Sequence, residues 1–81
     1  MDEVEAAKEA FLALVKSIDS EVQCVIPTRP TNDMFLISLR KGKALKYLSI
    51  SEGDLLDFSE DDAIQREVTD RVKGTLSELA S

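Results

Sequence analysis

Eighty-one residues with sixteen acids and ten bases, a net charge of −6, 43% hydrophobic and 32% charged content make one folded domain, residues 1–81, without a low-complexity tract, repeat or linker. One cysteine excludes an internal disulfide framework, and the absence of histidine removes the commonest general base and metal ligand. At this size a single core supplies only about 3 to 5 kcal/mol of net stability, so help from a second copy or a partner is expected.

Asp2 to Ile18 is read as an amphipathic helix, because Val4, Ala7, Phe11, Leu14, Val15 and Ile18 recur at the three-and-four spacing of one helical face. Asp2, Glu3 and Glu5 fall in its first turn, where carboxylates complement the exposed amides. Lys8, Glu5, Glu9 and Lys16 are placed on the polar side, Ala6, Ala10 and Ala13 form a small-residue flank, and Leu12 stands alone among the charges. Acidic residues occupy the start, where a signal peptide would place basic ones ahead of an apolar run, so the chain is expected in a reducing compartment, the cytoplasm. No apolar stretch approaches the roughly 20 residues needed to span a bilayer, and no basic amphipathic face favours adsorption, so no membrane association is expected.

Val22 to Ile26 has the β-branched content of a first strand, with Val22, Cys24 and Ile26 on one side. Cys24 reads as a small core residue, since a reactive thiolate needs a cationic or basic neighbour. Pro27 and Pro30 end the strand and stiffen the loop to Asp33. Their PxxP spacing matches a polyproline ligand, but a loop tethered between strands is a poor one.

The strongest local signal lies in residues 34–50, where two apolar, β-branched runs flank Gly42 and predict a hairpin. A three-residue loop of Arg40, Lys41 and Gly42 would set Ile37 opposite Leu45. An even-numbered loop would place Phe35, Ile37 and Leu39 on one face with Ala44, Leu48 and Ile50, which separates apolar from polar side chains better. Either register leaves a second face with apolar residues drawn from Met34, Leu36, Leu45, Tyr47 and their neighbours. Residues 51–54, with Gly53, read as a turn, and Leu55, Leu56 and Phe58 as a short apolar link. Ser59 is expected to cap a last helix, with Asp62 completing a box-like start. Ile64, Val68, Val72, Leu76 and Leu79 then form one buried stripe, and Gly74 marks a close crossing or a weak final turn. The predicted architecture is α+β, a three-stranded antiparallel meander in the order α-β-β-β-α with both helices packed on one face.

Charge is divided along the chain. Residues 22–51 carry one acid and five bases, whereas residues 1–21 carry six acids and two bases, and residues 52–81 nine acids and three bases. Ordinary complementarity between helices and sheet accounts for this most simply. The densest acidic run, Glu52, Asp54, Asp57, Glu60, Asp61 and Asp62, lacks the alternating spacing and central glycine of a calcium loop, so no metal is assigned. No glycine-rich phosphate loop occurs, and no enzyme, cofactor or small-molecule substrate is inferred. The helix, three strands, helix order is similar to that of double-stranded RNA binding domains. Those carry a lysine cluster at the start of the last helix, where this chain has Glu60, Asp61 and Asp62, so no nucleic-acid binding is expected.

The expected function is therefore a small protein-protein interaction or regulatory module. Two helices cover only one side of a three-stranded sheet, and the other side must meet something besides water. A homodimer is the simplest arrangement, with Leu36, Leu45, Tyr47 and Met34 as interface residues, and a further protein partner is unspecified. The alternative is an acidic nucleic-acid mimic that inhibits a basic DNA- or RNA-binding protein.

Overall fold

The computed structural model describes residues 3–80; Asp2, expected in the first helical turn, lies outside them. Helix α1 spans Glu3–Ile18, and strands β1 (Gln23–Val25), β2 (Met34–Lys41) and β3 (Ala44–Ser51) follow. Two helices close the chain, α2 (Glu52–Asp57) and α3 (Asp62–Ala80). The strands form one antiparallel sheet in the order β1-β2-β3, the predicted meander.

The turn at the centre of the sheet settles the register that the sequence leaves open. Lys41 pairs with Ala44 across a two-residue loop of Gly42 and Lys43, and Gly42 has φ +60°. A left-handed first loop position is what a II′-type hairpin demands, and its twist matches that of the strands. The three-residue loop is thereby excluded. Phe35, Ile37 and Leu39 share the inner face with Leu48 and Ile50, and all five are buried.

Both long helices pack on that inner face. Helix α1 contributes Ala7, Phe11 and Val15, and α3 contributes Val68, Val72, Leu76 and Leu79, with Val4, Leu14, Ile18 and Ile64 partly buried at the margins. The periodicity read from the sequence thus selects the buried stripes. Phe58 meets Phe11 edge to face, with centroids 6.2 Å apart, which ties the segment after α2 to α1.

Four local features depart from the sequence reading. Residues 51–54 are a helix start, not a turn: Ser51 accepts a hydrogen bond at its Oγ from the Asp54 amide at 3.1 Å and caps α2, which buries Leu55. Ser59 does not cap the last helix. Asp61 does, accepting at Oδ1 from the amides of Ala63 (2.9 Å) and Ile64 (3.3 Å), because residues 57–61 are occupied by the turn that closes α2. Lys8 is buried (8% exposed), not on the polar side. Its ammonium donates to the Thr28 carbonyl at 3.1 Å and lies 5.4 Å from the centroid of the Phe35 ring, while the stem crosses the core margin. Finally, the loop before β2 contains a tight turn. Asn32 and Asp33 both have positive φ, and Thr31 and Met34 exchange backbone hydrogen bonds of 2.9 and 3.0 Å. The Asp33 carbonyl then accepts from the Glu52 amide at 2.8 Å, which holds the start of β2 against the start of α2.

The glycines give a test with opposite signs. A methyl at Gly74 meets nothing within 4 Å, which removes the close-crossing reading and leaves an exposed helical position. Gly74→Ala is expected to raise stability by about 0.5 to 1 kcal/mol, and Gly42→Ala, forced to positive φ, to lower it by about 1 to 2 kcal/mol, both read from urea midpoints.

Candidate protein interface

An even register assigns every side chain of the hairpin. Met34, Leu36, Ser38 and Arg40 of β2 share the outer face with Leu45, Tyr47, Ser49 and Ser51 of β3, and Gln23 and Val25 of β1 join them. All four residues expected at the interface therefore lie on one surface. They are exposed there, Tyr47 at 59% and Leu36 at 55%, with Leu45 and Met34 near 40%.

Val25, exposed at 63%, belongs to the same patch, beyond the four residues expected there. The signal for it is alternation: if Val22, Cys24 and Ile26 face inward, Val25 faces outward. Ser38 sits between Val25 and Tyr47 in the paired rows. This small side chain leaves a shallow depression bordered by Gln23, Arg40 and Leu45 as well. Arg40 is the one charged strand residue on the outer face, and it has no carboxylate within ion-pair distance among the described residues.

The complementarity expected between acidic helices and basic hairpin is realised at one corner. Lys41 donates to Asp19 Oδ2 at 2.8 Å, and its ammonium lies 3.9 Å from Glu21. That hydrogen bond, with a second from the Glu21 amide, holds the Asp19 carboxyl below its ordinary range, and the same contact raises Lys41. Arg40, Lys43 and Lys46 stay outside this pairing. The hairpin therefore keeps a basic tip.

Cys24 is half-buried beside Leu39, and burial pushes its thiol up to about 11, away from the thiolate a nucleophile needs. Among the described residues no three His, Cys, Asp or Glu side chains are grouped to hold a metal ion. In the acidic run, Asp61 serves as a helix cap and the Asp54 amide is taken by Ser51. No helix of the described residues is long and apolar enough to cross a membrane. Comparison of the chain with protein families, with curated proteins and with solved structures finds no match.

Cys24 also gives the fold a pH signature. An unfolded chain releases the thiol proton near 9.0 and the folded chain at about 11, so the unfolded state binds fewer protons between these values. Stability is expected to fall as pH rises through that window, and Cys24→Ala to remove this component. Urea midpoints measured below 9 and near 11 check it.

Proposed function

We propose that this chain is a non-enzymatic protein-protein interaction module that works as a homodimer, with the outer face of its sheet as the contact surface. The carrying observation is the concentration of Val25, Met34, Leu36, Leu45 and Tyr47 on the side of the sheet opposite both long helices. Single exposed apolar residues are ordinary on soluble proteins, but five on adjacent strands form a continuous patch.

Area fits a second copy. The five side chains present on the order of 500 Å² per copy, so two faces together bury about 1,000 Å², the lower bound for a specific interface. A two-fold axis brings the patch onto itself, and that closes the assembly at two. The acids that would oppose association lie mainly on the helices, since residues 22–51 contain one acid. A lone half-buried thiol is consistent with a reducing compartment, and we place the protein in the cytoplasm on that basis.

The register makes the decisive pair of substitutions unambiguous. Leu36→Lys, on the outer face, is expected to leave the helical circular dichroism spectrum intact and to shift the mass in light scattering from about twice 9.0 kDa to one chain. Ile37→Lys, at a fully buried position, is expected to unfold the chain. A wild-type chain that stays monomeric at high micromolar concentration overturns the proposal. If that monomer captures basic DNA-binding proteins in a salt-sensitive way, function moves to the acidic helices.

A further inference from the structure

The two edges of the sheet are not equivalent. With Lys41 and Ala44 closing a two-residue loop, odd-numbered residues of β2 direct their amides and carbonyls to β3, and even-numbered residues direct theirs to β1. Leu45, Tyr47 and Ser49 consequently turn backbone groups outward on one edge, and Cys24 does so on the other. The β3 edge is guarded. The Arg71 guanidinium donates to the Ser49 carbonyl, and Lys46 places a charge within the strand on the inner side. Over Gln23–Val25 the β1 edge carries no charge at all.

Beside that open edge runs a groove of about 540 Å³, within the range of roughly 300 to 1,000 Å³ typical of binding sites. Leu12, Ala13 and Lys16 of α1 form one wall, Cys24 lies on the other, and the buried Val15 and Val22 lie between. Leu12, without a role on the polar side of its helix, and Ala13, part of the small-residue flank, thus acquire a common place. Lys16 is the one cation on the rim and has no carboxylate within ion-pair distance among the described residues, whereas the rim's acid, Glu21, shares the Lys41 ammonium with Asp19, at 3.9 against 2.8 Å.

We propose that the groove between α1 and the edge of β1 binds an extended, apolar segment of a partner protein that carries a carboxylate opposite Lys16 and adds to the sheet as a fourth strand. Backbone hydrogen bonds to Cys24 supply the pairing, alternate side chains fill the groove against Leu12 and Ala13, and the partner's acid completes the charge of Lys16. The groove lies on the helix side of the sheet, so it stays open when two outer faces meet.

The test uses random peptides displayed on phage, selected against the full chain; the tightest binder is synthesised and titrated into isotope-labelled protein. Expected are amide shifts concentrated in residues 12–16 and 20–24, protection of the Cys24 amide from exchange, and an acidic residue in the selected peptides. Cys24→Pro removes an outward donor on an edge strand together with a side chain of the groove wall, and Ala13→Trp fills the groove from an exposed helix position. Each is expected to weaken the peptide about tenfold or more with the circular dichroism spectrum unchanged, and Lys16→Glu to weaken it likewise. Shifts centred on Leu36 and Tyr47, unchanged affinity in Ala13→Trp, or no peptide binding tighter than about 1 mM would each overturn the proposal.

Discussion

One backbone angle organises this molecule. Gly42 sits at φ +60° in the first of two loop positions, and that conformation ties Lys41 to Ala44. Every pairing to Met34 and Ser51 follows from it, because side chains alternate strictly along a strand. A register one residue away would carry part of the Phe35, Ile37, Leu39, Leu48 and Ile50 set out of the core. Fully burying a side chain of that size contributes about 1.5 to 3 kcal/mol, so losing even a few exceeds the whole net stability expected of a small domain. The loop geometry and the apolar pattern therefore favour the same arrangement.

The remaining elements serve the face so defined. Helices α1 and α3 have one apolar stripe each, and both stripes are used against the inner side. Helix α2 is held by its Ser51 cap, by the Asp33 carbonyl at its start and by Leu55 and Phe58 beneath it, contacts that join the far end of the hairpin to the helical layer. No described element remains to cover the outer side. Its apolar residues are thus a consequence of the topology as much as of composition, and association is the ordinary way to remove such a surface from water.

The long elements were legible in the sequence because their periods are long. Five stripe residues in α3 and six in α1 repeat often enough to define a face, and alternation about Gly42 defines a hairpin. The register was not legible, since glycine suits the last position of a three-residue loop as well as the first of a two-residue loop. Helix α2 has six residues, too few to show a period, and Ser59 and Asp61 are both good caps whose choice depends on where α2 ends. The burial of Lys8 is not legible because it depends on the loop carbonyl of Thr28, twenty residues away, which accepts its ammonium. The outer patch was visible as four residues, with Val25 implied by alternation. The groove beside β1 was not visible at all, because it exists only where α1 lies along an open strand edge.

The most direct measurement of the central claim is an isotope-filtered nuclear Overhauser experiment on a sample mixing labelled and unlabelled chains, which reports only contacts between copies. Cross-peaks are expected from the Tyr47 ring and the methyl groups of Leu36, Leu45 and Val25, the residues on the outer face. Intermolecular cross-peaks arising from α1 or α3 in their place, or none at concentrations where the outer face should be covered, would contradict it.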